Sequence, residues 1–397
     1  APYFDLANAP GTLGMVNWGA HDPGVPPTCR PADLAGEVLS RFGAYPAPDY
    51  LYGLAWHSAA QAERLGAGLA AAAERRAAIA RWLLAERLPD WDLALVVAGE
   101  PHSAIEALWH GVDPAHPAHA LPSQAAAAAG LATVYRAVDR MVAELARACP
   151  DATLLLFNLH GMGSNDGDLP SMVLLPELLY RDRFGHAALE TPADWQAAPG
   201  GLPALPEGES WSRLLRRQFT ARRRPARRLA RALGRLAGRR ELPLGNLDWM
   251  PARWYQPWWR RMRSFALPAF YDGRIRVNLA GREAAGRVAL ADYGAELDRL
   301  ERLIGETRDL FSGQPAVARF ERPAERDPLA LAPTGADLVV RWAEVSRGFA
   351  HPRLGRIGPV PLRRTGGHTG GHGFAWFAGT GIAAGERGLV SSFDVVP

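Results

Sequence analysis

Hydrophobic positions along the chain follow a helical period in some segments and form short continuous runs in others. Apolar residues recur at helical spacing over 58–88 and over 123–149, and the first segment ends before Pro89. The short runs 92–98 ("DLALVVA") and 152–158 ("ATLLLFN") have the length and composition of buried strands. Buried strands that alternate with helices predict an α/β fold, with a mostly parallel sheet and helices on both of its faces.

The rest of the chain continues this pattern with one interruption. Further predicted elements are helices at 31–42, from near Ser171 and at 292–311, and strands at 272–279, 336–342 and 371–379. Residues 186–260 break the alternation with loops, an arginine cluster and a tryptophan-rich piece. We therefore predict one domain over 1–397, with 186–260 as an insertion or cap rich in Arg and Trp.

Composition places the chain among soluble globular proteins. It has 397 residues, 48% of them hydrophobic, which is enough for a large core. No apolar run reaches the roughly 18 residues of a membrane span, and the N-terminus lacks a signal pattern. We expect no membrane contact and a cytoplasmic location, unless a signal peptide precedes Ala1. Cys29 and Cys149 are too few and too distant for a disulfide framework or a zinc knuckle.

The basic charge is weak evidence for a nucleic-acid partner. The net charge is +4 and the pI about 9.3, but all 45 basic residues are arginine, a bias typical of GC-rich coding. The densest cluster, 213–240, fits an arginine-rich solvated helix better than an anion-binding surface. We expect no nucleic-acid partner.

A first group of metal-binding side chains follows the 92–98 run, in the stretch "GEPHSAIEALWH". His102 and Glu106 are four residues apart, so a helix beginning here would place both on one face. Imidazole nitrogen and carboxylate oxygen suit zinc or manganese. The same spacing is common on ordinary helix surfaces, and the position after a buried strand is what favours a site, because ligands collect beyond the carboxyl ends of such strands.

His160 lies in a second candidate loop, "FNLHGMGSNDG", directly after the 152–158 run. The neighbouring glycines permit a sharp turn and a close approach of a ligand. An ordinary loop histidine is the alternative. Asp166 and Asp168 are better explained as turn formers.

A third candidate is the loop "RRTGGHTGGHGFAWFAGTGI". Its His368 and His372 stand between glycines, and Arg363 and Arg364 precede them, where they would meet phosphate oxygens. The loop lacks the Lys-Ser/Thr of a phosphate-binding P-loop.

A fourth polar cluster lies near the N-terminus, in "NWGAHDPG". It contains Trp18, His21 and Asp22. A structural histidine paired with a carboxylate explains it better than a site.

Three of these segments, taken in order, resemble the type I phosphodiesterase/nucleotide pyrophosphatase family of the alkaline phosphatase superfamily. "VVAGEPHSAIEALWH", "FNLHGMG" and "RTGGHTGGHGFAWFAGTGI" are similar to the family's metal-binding segments, and "DGRIRVNLAGREAAGRV" and "ADLVVRW" also have equivalents there. The similarity spans roughly residues 90–180 and 265–397.

The resemblance implies a three-layer α/β/α sandwich and a metal-dependent hydrolase of phosphate esters or phosphodiesters. It implies one or two divalent ions, zinc or manganese. His102, Glu106 and His368 would hold the first ion, and His160 would contribute to the second. Arg363, Arg364 and His372 would bind substrate. The family's nucleophile and opening strand are expected before Ala1, so the fold would be incomplete at the N-terminus and the chain a fragment.

The sequence also departs from the family at metal-binding positions. Leu159 and Gly367 stand where the family has aspartates, and the ligand types at His102 and Glu106 are exchanged. These departures favour an alternative, a catalytically inactive homologue that acts as a binding protein. A sulfatase-like hydrolase on the same fold is a further alternative.

Overall fold

The chain forms a mixed α/β fold with small antiparallel sheets. The computed structural model describes residues 6, 10–19, 27–48, 58–165, 167–206, 209–220, 249–323 and 327–391. It separates into unit 1, Ala1–Ser164 with Arg364–Pro397, and unit 2, Asn165–Arg363. The boundaries therefore fall after Ser164 and Arg363, and not at the ends of the insertion predicted at 186–260.

The α-helices are, in chain order, α1 (Leu34–Phe42), α2 (Ala59–Trp82), α3 (Glu100–Leu108), α4 (Gln124–Ala148), α5 (Leu175–Phe184), α6 (Ala193–Gln196), α7 (Trp211–Gln218), α8 (Pro251–Trp254), α9 (Gln256–Trp259) and α10 (Tyr293–Gly305). The strands are β1 (Gly14–Val16), β2 (Thr28–Arg30), β3 (Leu154–Asn158), β4 (Gly161–Ser164), β5 (Ser264–Leu267), β6 (Gly273–Val277), β7 (Arg308–Asp309), β8 (Val317–Glu321), β9 (Leu338–Trp342), β10 (Phe349–His351), β11 (Gly355–Ile357), β12 (Gly366–Gly370) and β13 (Phe374–Ala378). None of the helices in these described ranges has the length and apolar character that a bilayer crossing needs.

Two long helices, α2 and α4, form the core of unit 1 and confirm the helices predicted from periodicity. The Ser58 hydroxyl accepts a hydrogen bond from the Gln61 amide and so caps the N-terminus of α2. The two helices cross where Gly66 faces Gly130, and a Cβ on Gly66 would overlap the Gly130 backbone. This close approach lets the apolar stripes of both helices bury each other, with Leu69 and Val134 fully enclosed.

The apolar run 92–98, predicted as a strand, is not one. A strand needs a neighbour for its backbone hydrogen bonds, and among the described residues none pairs with this segment. Its Leu93 and Leu95 side chains are 77% and 70% exposed. The strand was predicted from composition alone, and composition does not show whether a neighbouring strand is available to pair with it.

The second predicted strand of unit 1 is present as β3, and its partner comes from the other end of the chain. β3 pairs with β13, and β4 pairs with β12, both antiparallel. The ladders between all the strands named above are antiparallel. A mixed α/β fold is therefore observed, whereas the mostly parallel sheet is not seen in the described part of the chain.

Unit 2 is built on a four-stranded antiparallel sheet in the order β5-β6-β9-β8. Strand β6 alternates buried and half-buried residues, as its sequence predicts. The helix predicted at 292–311 is shorter, since α10 ends at Gly305 and residues 308–309 form strand β7.

The segment 186–260 contributes short helices to unit 2 where it is described. Trp211, Trp254 and Trp258 are buried there, which accounts for the tryptophan-rich composition. The beginning of the arginine cluster forms helix α7, and residues 221–248 lie outside the described residues.

Candidate metal centre

Helix α3 presents two of the candidate ligands and is anchored at its first residue. Glu100 is fully buried and accepts hydrogen bonds from Arg76 of helix α2, the shortest 2.7 Å between Nη2 and Oε1. The Tyr45 hydroxyl donates to the same carboxylate at 3.3 Å. Burial and then the charge of Glu100 raise the pKa of Tyr45. These contacts fix the start of α3 and so the position of His102, two residues later.

Strand β12 carries His368 and is brought to α3 and to β4 by glycines. A Cβ on Gly366 would overlap the carbonyl oxygen of Ile105 in α3. A Cβ on Gly370 would lie 2.5 Å from the backbone carbon of Gly161 in β4. The backbone amide of Thr365 also donates to the Glu106 carbonyl oxygen at 2.7 Å. Only glycine allows both approaches, so His368 is held between α3 and the start of β4.

The end of strand β4 is tied to the turn that follows α3 by a second, half-buried contact. Asp113 accepts hydrogen bonds from Ser164 Oγ at 2.7 Å and from Trp109 Nε1 at 3.0 Å. Burial acts to raise the pKa of Asp113, but these hydrogen bonds outweigh it and hold the pKa below its ordinary value. The carboxylate therefore acts as a fixed structural link.

Four candidate side chains meet in one cluster, which we call the histidine cluster: His102, Glu106, His160 and His368. His102 Nε2 lies 2.7 Å from His368 Nε2 and 3.8 Å from Glu106 Oε1. His368 Nδ1 lies 3.1 Å from His160 Nε2. His102, Glu106 and His368 each offer one ligand atom, and these atoms all lie within 4.8 Å of one another. The three residues that the sequence analysis assigned as ligands of the first ion therefore lie close together.

The two nitrogens of His368 point to different partners. Nε2 faces His102, and Nδ1 faces His160. In a neutral imidazole only one nitrogen carries a proton, so Nδ1–H donating to His160 leaves the Nε2 lone pair facing His102 and Glu106. His160 is therefore close enough to orient His368 through a hydrogen bond, and its expected role at a second ion stays a prediction.

The donor set fits a divalent cation. Two imidazole nitrogens and one carboxylate oxygen form a common three-ligand zinc set with an open fourth position. Tetrahedral zinc with bonds of about 2.0–2.1 Å separates its ligand atoms by roughly 3.3–3.4 Å. The 2.7 Å and 3.8 Å separations bracket that value. Side-chain movements of about half an ångström at these two pairs would suit the ion.

The two arginines expected to bind phosphate have protein partners. Arg364 forms an ion pair with Glu106 and is buried. Arg363, in unit 2, is also buried and donates through Nε and Nη2 to one oxygen of Asp168, at 3.0 and 2.6 Å. Asp168, predicted as a turn former, is thus an ion-pair partner. Arg364 stays at the histidine cluster, and Arg363 is held by Asp168.

The other predicted residues have separate locations. His372 is exposed in the turn between β12 and β13. Trp18 packs edge-on against Tyr45, with ring centroids 5.1 Å apart, and lies under the Arg76 guanidinium. His21, Asp22 and Asp166 lie outside the described residues.

Sequence reasoning missed the residues that support the site. The buried pair of Glu100 and Arg76 was not predicted, although a glutamate beside the proline that begins a helix is a signal for the first turn. The pairing of Arg364 with Glu106 joins residues 258 positions apart, and no local pattern encodes it. The chain matches no family model, no curated protein and no solved structure.

Proposed function

We propose that this chain is a metal-dependent hydrolase of phosphate esters or phosphodiesters, related to the type I phosphodiesterases of the alkaline phosphatase superfamily. The observation that carries the proposal is the convergence of His102, Glu106 and His368 from two distant chain segments. The reaction class rests on the similarity of the three segments that bring these residues.

The proposed fold is the three-layer α/β/α sandwich with a mostly parallel sheet. Segment 92–98 and strand β3 both precede a residue of the histidine cluster, His102 and His160 respectively. In the proposed sandwich these two segments would lie side by side, as parallel strands do at the carboxyl edge of a sheet. Leu95 of segment 92–98 and Trp376 of β13, the partner of β3, are exposed apolar side chains. Helices packed on both faces of a sandwich would cover such side chains.

The residues of the cluster have separate roles in this proposal. His102, Glu106 and His368 would hold a zinc or manganese ion, and His160 would orient His368 through its Nδ1. When bound, the ion supplies Lewis-acid polarisation of a phosphoryl oxygen. Arg364 keeps the Glu106 carboxylate in place and brings positive charge to the site, where it would attract an anionic substrate.

A second candidate function is metal-dependent binding of a phosphate group without hydrolysis. It is favoured by Leu159, which is 58% exposed beside His160 at the position where the related family has a metal-binding aspartate. A leucine has no lone pair for a cation, so a second ion would lack that ligand. The two candidates share the first ion and differ in turnover.

The test begins with metal binding to the whole chain. The protein would be stripped with a chelator and titrated with Zn²⁺ and with Mn²⁺ in a calorimeter, beside His102→Ala and His368→Ala. His186→Ala is the matched control, because His186 is an exposed histidine of unit 2 outside the cluster. We expect binding by the parent and the control and loss of binding in both cluster variants. Failure of the parent to bind either metal would overturn both candidate functions.

Turnover then separates the two candidates. The loaded protein, expressed together with the segment before Ala1 in which the nucleophile is expected, would be assayed with bis(p-nitrophenyl) phosphate, p-nitrophenyl phosphate and p-nitrophenyl sulfate. Release of p-nitrophenol from a phosphate substrate, lost in His368→Ala, supports the hydrolase. Metal binding with no turnover of any substrate supports the binding protein, and preference for the sulfate would point to a sulfatase-like enzyme.

A further inference from the structure

Arg347 of unit 2 is a buried arginine whose charge has no acidic partner in contact among the residues that the structure describes. It lies between β9 and β10 and is only 7% exposed. Its Nε has no hydrogen-bond partner, and no hydrogen bond or ion pair joins its guanidinium to another described residue. Such burial of an unpaired charge costs several kcal/mol in typical proteins.

Other buried arginines of unit 2 are paired, which makes Arg347 different. Arg282 donates to both oxygens of Asp337, at 2.7 and 2.6 Å. Arg363 donates twice to Asp168. The fold therefore provides a carboxylate for these two buried guanidinium groups and leaves Arg347 without one.

The carboxylates near Arg347 are committed to other donors. Asp309 accepts hydrogen bonds from the amides of Phe311 and Ser312, both at 2.8 Å, and from Ser346 Oγ at 2.6 Å. Glu344 accepts from the Ser312 hydroxyl. Burial lowers the pKa of Arg347, and the charges of Asp309 and Glu344 act in the opposite direction. These two acids moderate the cost of the buried charge at a distance, and their hydrogen bonds go elsewhere.

An aromatic ring lies beside the guanidinium and reaches the surface. The Arg347 Cζ atom is 4.4 Å from the centroid of the Phe311 ring, a close cation–π contact. Phe311 is 41% exposed. Its ring also packs against Gly201, where a Cβ would overlap the ring, so this position needs glycine. A ligand that reached the guanidinium would therefore also meet an apolar ring surface.

We propose that Arg347 and Phe311 form a binding site for a carboxylate group carried on an apolar or aromatic body. The planar guanidinium matches a carboxylate through paired hydrogen bonds, and the exposed part of the Phe311 ring would contact the apolar body. The negative charges of Asp309 and Glu344 favour a monoanion over a phosphate dianion. This site is independent of the histidine cluster.

Benzoate is the probe that tests the site. Calorimetric titration of the whole chain would compare benzoate with benzamide, its uncharged analogue, and with inorganic phosphate. We expect benzoate to bind and both of the others to bind at least tenfold more weakly. Arg347→Met should lower the benzoate affinity about 10- to 100-fold, the range for loss of a charge-assisted hydrogen-bonded pair. Phe311→Ala should weaken benzoate binding while keeping the preference over benzamide.

Two further variants keep the test decisive. Arg353→Met removes an equal charge from an exposed arginine of the same unit and should leave benzoate affinity unchanged. Arg347→Lys keeps the positive charge but loses the planar guanidinium with its paired donors, so it should bind benzoate more weakly than the parent. This variant tests the site even if Arg347→Met fails to fold. Absence of benzoate binding, equal binding of benzamide, tighter binding of phosphate, or equal affinity in the parent and in Arg347→Lys would overturn the proposal.

Discussion

Buried polar groups are arranged differently in the two units. In unit 2, Glu177 accepts from Tyr255 at 2.6 Å, from Arg181 at 2.7 Å, and from the amides of Ala188 and Leu189 at 3.0 Å each. In unit 1, the histidine cluster brings imidazole nitrogens within hydrogen-bond distance of each other. A carboxylate surrounded by donors is complete without a ligand. Nitrogen lone pairs that face one another and a carboxylate are the arrangement that a cation completes.

Loss of the Glu177 carboxylate should destabilise unit 2 strongly. Glu177→Ala removes the acceptor of two side chains and two amides and leaves Arg181 partly buried beside the gap. We expect a loss of about 3–5 kcal/mol in the free energy of unfolding, the range for removing one partner of a buried ion pair. Urea denaturation followed by tryptophan fluorescence measures it. Glu301→Ala, which breaks a surface pair with Arg322, should cost no more than about 1 kcal/mol. Similar losses in the two variants would contradict the structural role of Glu177.

The next effect tests the cation side. If zinc binds only the folded chain, free zinc at 100 times its dissociation constant stabilises the fold by about 2.7 kcal/mol. Thermal unfolding with and without zinc measures this gain. His102→Ala, measured at the same zinc concentration, should lose it, because two ligands then remain of three. Zinc stabilisation that persists in this variant would place the ion elsewhere in the chain.

His160 contacts His368 and is not one of the three proposed ligands of the ion. His160→Ala should lower zinc affinity about 10- to 100-fold, the typical cost of losing a residue that orients a metal ligand. His160→Gln supplies an amide oxygen that accepts the same hydrogen bond, so part of the affinity should return. Complete loss of binding in both variants, as in His368→Ala, would instead make His160 a ligand. Calorimetric titration distinguishes these results.

The sequence predicted local features better than pairings between distant segments. The helical period of apolar residues predicted α2 and α4, and the alternation of apolar and polar residues predicted strand β6. Both patterns are local, because each depends on which face of a single element is buried. The run 92–98 had strand composition but no described partner. Ladder partners such as β13 for β3 lie more than 200 residues away and leave no local trace.

The candidate site shows the same division. His102 and Glu106 could be grouped from their spacing on one helix, and the structure places them 3.8 Å apart. His368 is 266 positions from His102, and only the resemblance joined the two. Gly366 and Gly370, which allow the close approach of β12, were visible in the sequence. The segments that they approach, α3 and β4, could not be predicted from it. The partners of Arg363 and Arg364 depend on tertiary packing and could not be predicted.

Glu296 of unit 2 should make a small, pH-dependent contribution to stability. Glu296 accepts hydrogen bonds from Arg299, Arg263 and Ser264, each with a distance of 2.9 Å. Burial acts to raise the pKa of Glu296, but the hydrogen bonds from Arg299 and Arg263 outweigh it and hold the pKa below its ordinary value of 4.5. The folded state therefore takes up this proton less readily than the unfolded state.

The sign of the pH dependence follows from that lowered pKa. The stabilisation by Glu296 is fully present above pH 4.5 and is lost as the pH falls toward the folded-state pKa. In Glu296→Gln this contribution no longer titrates. The difference in free energy of unfolding between the parent and Glu296→Gln, measured by urea denaturation, should be constant from about pH 7 to 6 and shrink as the pH falls below 4.5. A difference that grows on acidification would mean that burial dominates the pKa of Glu296, as it does for Glu177, where burial raises the carboxyl pKa despite four hydrogen-bond donors.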